Sequence, residues 1–294
     1  MAGDTTAALA RRPSDSVTRD GVGRGMWSVR DGRAGVLILL VLTAAGLMAP
    51  LIAPYAPDTI DPGALLHGLT WRHPLGSDDF GRDVLSRLLY AYRASLLVAA
   101  ASTGLALPLG GIIGVLSGYF GGAVDTVLMR SVEMLLAFPA LLLGLALISV
   151  LGPGTGVTIL AIAISYVPVL ARTARSSTLV VRGRLYVAAA RVRGGSHRHI
   201  LYRHVLPNAI GPCLTQASVL AGIAIQIEAA LSYLGLGVRP PTPSLGSMLA
   251  EGQGFLAQAP WICVVPGVAL ALTTLGFNLL GNALRHSLDP DGGQ

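Results

Sequence analysis

The sequence contains no lysine. A Walker A phosphate loop needs Gly-Lys-Ser/Thr, so nucleotide hydrolysis by that route is excluded. Neither His-Glu-x-x-His nor Gly-x-Ser-x-Gly occurs, which removes the zinc-protease and nucleophile-elbow signatures. Charge is scarce: 12% of the 294 residues are charged and 52% are hydrophobic. Soluble domains carry about 25% charged residues, so the composition places the chain among membrane proteins. Cysteine is nearly absent. Cys213 and Cys263 stand in separate apolar runs and read as small buried apolar residues, not as a disulfide or metal pair.

What is present is arginine, which supplies all 21 basic residues against 15 acidic ones. A basic excess can mark a nucleic-acid binder. In so apolar a chain it reads instead as positive-inside charge in contact with anionic lipid headgroups, with no nucleic acid.

Residues 1–33 are polar, rich in Gly, Ser and Arg, and lack apolar periodicity; they read as a disordered cytoplasmic tail. Six apolar runs follow: Ala34–Ala53, Ala94–Leu116, Val127–Leu151, Val157–Ala171, Ile210–Leu231 and Pro260–Leu284. The first exceeds the ~7–15 apolar residues of a signal peptide and reads as an uncleaved span. Between the first two, residues 54–93 read as an extracytoplasmic segment. It contains an amphipathic helix that starts at Asp79 or Gly81, shows Val84, Leu85, Leu88 and Leu89 on one face, and lies along the outer membrane surface. Asp78, Asp79 and Asp83 lack the spacing of a calcium loop and read as helix N-terminal charge. Ser117–Thr126 reads as a tight cytoplasmic turn, and Pro139 as a kink in the third run. Arg130 and Glu133, at i and i+3, can pair on one helix face. Glu228 lies in the fifth run, where an ionisable side chain is either functional or a cap or pair near the interface. Pro240, Pro241 and Pro243 stiffen the outer loop Ser232–Ala259, and residues 285–294 form a short cytoplasmic tail.

The most cationic stretch, Arg172–Asn208, holds eight Arg, three His and no acidic residue, so it belongs in the cytoplasm. Leu185, Ala189 and Val192 form one apolar stripe at helical spacing. Gly194 suits a left-handed cap after them. Ser196 is an N-cap for a second helix, His197–Val205, which Pro207 stops. His197, His199 and His204 do not share one helical face, so a polar helix is preferred to a metal site.

This loop, YVAAARVRGGSHRHILYRHVLPN, resembles the signature loop of ABC-importer permeases. Ala189, Ala190, Gly194, Leu206 and Pro207 match its pattern, and Ala188 stands where the family commonly has Glu. The blocks HPLGSDDFGRDVLSRLLYAYRASL, EAALSYLGLGVRPPTPSLGSMLAEG and FNLLGNALRHSLDP are similar to the second permease subunit of dipeptide, oligopeptide and nickel importers; Asn282 and His286 replace acidic residues common there.

The resemblance implies an all-α, six-span membrane protein with the type I ABC importer permease fold, whose core spans 94–284. The loop 172–208 would be the ATPase-coupling element, carried by Tyr186, Ala189, Ala190, Arg191, Gly194, Ser196, Leu206 and Pro207. It also implies a homologous sister permease, two separate ATP-binding subunits that hold ATP and Mg, and an extracytoplasmic binding protein. The chain itself would bind no cofactor. Its place would be the bacterial plasma membrane with both termini cytoplasmic. The competing reading is a membrane anchor that recruits a cytoplasmic partner through the same loop. Nickel chelate and glutathione are alternatives to a peptide substrate.

Overall fold

In a bilayer core no water satisfies backbone N–H and C=O groups, so an apolar run must close its hydrogen bonds within itself as a helix. The computed structural model describes residues 30–288, and within them every regular element is helical. The helices are α1 (Arg30–Leu47), α2 (Ala49–Ile52), α3 (Val84–Phe120), α4 (Gly122–Leu136), α5 (Ala140–Leu151), α6 (Thr155–Arg182), α7 (Leu185–Val192), α8 (His197–Ile200), α9 (Leu206–Tyr233), α10 (Leu245–Gly252) and α11 (Trp261–Leu288). A π-helical turn, Leu201–Val205, joins α8 to α9.

Among the described residues four helical stretches are long and apolar enough to cross a membrane: α3, α6, His197–Tyr233 and α11. The pair α4 and α5 makes a fifth if it counts as one span, though its halves are bent by 86°. The first expected span is a shorter apolar helix, Gly32–Leu47. Length and composition therefore give four or five spans among the described residues, and the remaining run read from the sequence forms this shorter helix. Each of α3, α6, α9 and α11 carries an interior proline, which membrane helices tolerate because neighbours re-satisfy the freed carbonyl.

Several sequence expectations are corrected. The amphipathic helix of the outer segment is not separate; its residues are the first turns of α3, which runs unbroken for 37 residues. Its N-cap is Asp83, not Asp79 or Gly81: the Asp83 carboxylate accepts from Ser86 N at 2.7 Å while its other oxygen meets His73 Nδ1 at 3.0 Å. The turn at Ser117–Thr126 shrinks to Gly121, whose φ of +70° suits glycine. Pro139 does more than kink the third run: it stands at the break between α4 and α5. The fourth run does not end at Ala171, because α6 continues through Arg182. Pro207 stops nothing. The preceding π turn, with Leu206 N bonded to Leu201 O, adds the residue that lets the ring sit inside a continuous helix. The tail 1–33 lies almost wholly outside the described residues, as does the end of 285–294.

The centre of the fold is the crossing of α3 on α6. Gly110, Gly114 and Gly118 recur every four residues on one face of α3. A Cβ on Gly110 would come within 2.7 Å of Val167 O, one on Gly114 within 2.2 Å of Ala171 O, and one on Gly118 within 2.9 Å of Arg175 O. The backbones therefore touch without intervening side chains, the packing that small residues allow where lipid supplies no hydrophobic drive. Similar contacts seat the periphery. Gly35 and Gly276 bring α1 against α11, Gly222 accepts Phe277, and Gly246 lets α10 sit on the Ala229 carbonyl of α9.

At the end of the bundle where α3 begins, one ionic cluster ties residues 54–93 to α10. Arg87, 4% exposed, donates to Asp78 and to both oxygens of Glu251, at 2.8 and 3.2 Å. Arg82 bonds Asp78 at 2.6 Å and Glu251 at 2.8 Å. Asp78, Asp79 and Glu251 place oxygens within 4.8 Å of one another, as a cation site would, but the two guanidinium groups already supply the positive charge. Burial, and after it the Asp78 charge, raises the Asp79 pKa above the usual carboxylate value. Trp261 completes the tie, its Nε1 donating to Ser77 O at 3.1 Å.

The crossing makes a sharp prediction. Gly114→Leu forces a side chain into backbone, so membrane-extracted protein should lose its monodisperse peak on size-exclusion chromatography and fall about tenfold in yield. Gly104→Leu, on the same helix with nothing within 4 Å of its Cβ, should match wild type. Equal behaviour of the two variants would contradict the packing.

Candidate functional site

The Arg-rich loop is smaller than its sequence suggests. Arg172–Arg182 belongs to α6 and Leu206–Asn208 to α9, leaving residues 183–205 to stand out from the bundle. Within it α7 ends as expected. Gly194 takes φ +79°, Gly194 N bonds Arg191 O at 2.9 Å and Gly195 N bonds Ala190 O at 3.0 Å. These two bonds are a Schellman cap. Ser196 then caps α8 by accepting from His199 N at 3.3 Å. The loop is thus helix, glycine turn, helix, with each chain reversal held by its own hydrogen bonds.

The loop is fixed to one end of the long helices. Val187, Ile200 and Val205 are buried in a cluster with Val115, Tyr119, Ala174, Val181, Ala209 and Cys213, so α3, α6 and α9 all contribute to its seat. Tyr119, at the foot of α3, is the polar pin. Its hydroxyl meets His197 Nδ1 at 2.9 Å, and the Arg191 guanidinium lies 5.4 Å from its ring centroid, close enough for a cation–π attraction. Arg182 donates to Gly118 O at 3.2 Å. Beside them Arg175 grips Asp125 bidentately at 2.6 and 2.7 Å, and Asp125 also accepts from Ser117.

The expected apolar stripe points the other way from its usual use. Leu185 and Val192 are 88% and 90% exposed, and Ala189 is half-buried. Val187 and Ala190 face the bundle instead. A short helix seated by Val187 therefore presents its longer apolar stripe outward, next to exposed Tyr186 and Tyr202. The Tyr186 ring lies 6.2 Å from His204. Leu206 and Pro207 are exposed where α9 begins. The structure thus brings Tyr186 to Ser196 onto one projecting unit and puts Leu206 and Pro207 at its return.

The other candidates lie apart. Arg130 and Glu133 pair at 3.5 Å on exposed positions of α4. Glu228 neither caps nor pairs with a cation. It is fully buried, accepting from Ser95 Oγ of α3 at 2.6 Å and Ser232 Oγ at 2.7 Å. Ser232 Oγ in turn accepts from Val238 N at 3.1 Å. Glu228 therefore joins α3, α9 and the start of the loop after α9 through neutral hydroxyls. Sequence reading missed Tyr119 because its partner lies 78 residues away; it also passed over the four-residue glycine repeat of α3, which was visible.

Two solved structures share this arrangement of helices. The MetNI methionine ABC transporter, in an inward-facing conformation, superposes with TM-score 0.56 at 17% identity, over 68% of this chain and 95% of that one. An amino acid ABC transporter with histidines gives 0.52 at 16%, over 67% and 91%. The fold is that of an ABC transporter's membrane subunit. Residues 110–291 match the family described as binding-protein-dependent transport system inner membrane component, and the chain belongs to that family. It is a multi-pass inner-membrane transport permease.

Its relatives include a dipeptide transport system permease of Alkalihalophilus pseudofirmus, 37% identical over 87% of this chain and 84% of its own length. A di/tripeptide permease of Pseudomonas aeruginosa is 38% identical over 87% and 86%. A glutathione permease of Pectobacterium atrosepticum is also 38% identical over 87% and 86%.

Gly194→Val tests the loop's local design. A β-branched residue at left-handed φ costs about 1–2 kcal/mol, roughly a 5–30-fold rise in the open population of the turn. Limited trypsin digestion of membranes should cut at Arg191 and Arg193 several-fold faster than in wild type, with the amount of protein in the membrane unchanged. Unchanged cleavage would contradict the cap assignment.

Proposed function

We propose that the chain is one wall of the pathway of a peptide importer and that its loop 183–205 carries the conformational signal of ATP. The single observation behind this is the loop's two-sidedness. One side is locked to α3, α6 and α9 through Val187 and Tyr119; the other offers Leu185, Val192, Tyr186 and the small residues Ala188 and Ala189 to a partner. A unit so held moves with the long helices, so a force on it reaches the pathway. The bilayer supplies none of the ATP chemistry and neither does this chain, which lacks a Walker A lysine. ATP and Mg belong to two separate ATP-binding subunits that receive the loops of this permease and of a homologous sister permease.

The remaining parts follow from the same reading. The fold is the type I importer permease, with α1 and the bent pair α4–α5 completing six spans, both termini cytoplasmic, and lipid around the bundle. An extracytoplasmic binding protein delivers cargo to the outer segment and the loop of α10, which Arg82, Arg87 and Glu251 hold as one surface. Nucleotide binding favours one of two global states, and hydrolysis restores the other. Peptide is the cargo that most of the quoted relatives' names support. Glutathione, itself a peptide, fits the same pathway, and nickel chelate is the alternative. An anchor that only recruits a partner has no use for a loop pinned to three separate long helices.

Two experiments test this. In proteoliposomes carrying the full set of subunits, wild type should import radiolabelled dialanine with ATP and binding protein both present. Gly194→Val should lower import at least tenfold and weaken the dependence of ATP hydrolysis on loaded binding protein. Import and stimulation equal to wild type would remove the coupling role. For orientation, in a background without Cys213 and Cys263, Gln258→Cys should react with an impermeant thiol reagent in spheroplasts, while Ser196→Cys should react only after lysis. The opposite pattern would invert the topology.

A further inference from the structure

The cleft between α4 and α6 holds a cavity of about 570 Å3. Met129, Val132 and Glu133 form its α4 side, and Arg172, Thr173 and Ser176 line its α6 side. Arg175 also reaches it, but its Nε and Nη2 are spent on Asp125. Arg172 is different: among the described residues it makes no hydrogen bond or ion pair. It lies ten residues before the end of α6, about 15 Å along the axis. A guanidinium on a spanning helix with no partner is costly unless it faces water or an incoming anion.

The rest of the wall has the opposite character. Glu133 is met only loosely by Arg130, at 3.5 Å. Thr173 Oγ1 donates to Val169 O at 3.0 Å and Ser176 Oγ to Thr173 O at 2.9 Å. Their protons are used, so both hydroxyls face the cavity as acceptors. The cavity therefore offers one free cationic fork, one carboxylate and two acceptor oxygens. The complement is a molecule with a carboxylate at one end and an ammonium at the other.

We propose that this cleft is a cargo-contact site on the permeation pathway for small zwitterionic peptides, with Arg172 receiving the C-terminal carboxylate and Glu133, with the hydroxyls of Thr173 and Ser176, the N-terminal ammonium. A planar guanidinium suits a carboxylate because the two can bond in parallel. An extended dipeptide spans about 7 Å, and the cavity falls within the roughly 300–1,000 Å3 of small-molecule sites. The site rests on the proposed importer function and adds to it where this chain touches the cargo.

A lipid headgroup bearing phosphate and ammonium shares this chemistry, so the test separates the two sources. The reporter is Met129→Cys in a background without Cys213 and Cys263, within the fully assembled transporter and without nucleotide. The rate of its reaction with an impermeant maleimide is measured with and without millimolar dialanine. Dialanine should slow labelling at least threefold. Dialanine amide, which lacks the carboxylate, should protect poorly, and Arg172→Gln should abolish protection while Arg172→Lys keeps part of it. Val132→Cys, which also lines the cavity, serves as reporter if Met129→Cys does not assemble. Absent protection in a transporter that imports dialanine overturns the site alone, as does undiminished protection in Arg172→Gln. Equal protection by O-phosphoethanolamine assigns the cleft to a headgroup and overturns the peptide assignment. A transporter that imports no dipeptide removes the importer reading and the site together.

Discussion

The backbone contact of α3 with α6 is the constraint on which the rest depends. With a Cβ at Gly114 excluded by 2.2 Å to the Ala171 carbonyl, the two longest-packed helices have almost no freedom to slide. Their ends then lie side by side, and that places Tyr119 and Val115 next to Ala174 and Val181. The loop needs this platform: Val187 and Ile200 have nowhere to bury without it. At the other end the same pair fixes Ser95 opposite Glu228 and sets Arg87 beneath Glu251. The loop at one end and the ionic cluster at the other thus hang from one crossing.

This arrangement explains why polar groups in an otherwise apolar chain fall where they do. Several of these groups sit at junctions between elements distant in sequence. Arg87 and Glu251 join segments 164 residues apart, Ser95 and Glu228 join helices 133 apart, and Arg175 and Asp125 join helices 50 apart. In a low-dielectric setting an unmet partner would be costly, so each junction has a defined register. Apolar packing on lipid-facing helices supplies little such specificity.

Much of this was legible in the sequence, for physical reasons that differ by element. Apolar runs predict helices because bilayer solvation leaves no other choice, and Gly194 predicts its cap because few residues tolerate its φ. The signature blocks led to the right family. Helix ends were less readable. Arg172–Arg182 is too cationic to read as part of an apolar run, yet α6 continues through it without unwinding. Pro207 read as a stop because a proline inside an α-helix costs a hydrogen bond; a single π turn removes the clash, and nothing local announces it. The outward direction of Leu185 and Val192 was hidden too, since an amphipathic stripe says that a face is apolar and not what covers it. The junctions over 100 residues had no local signal at all.

The central claim is that the loop and the α3–α6 pair form one rigid body, so that motion of one is motion of the other. Spin labels at Val192→Cys and Leu109→Cys, both at exposed positions, report this directly by double electron–electron resonance in the assembled transporter. The account predicts one narrow distance distribution, unchanged within about 2 Å, the scale of small helix shifts, between nucleotide-free and ATP-bound states. A shift of several ångströms or a second population on adding ATP would show the loop moving on its own platform and would contradict the account.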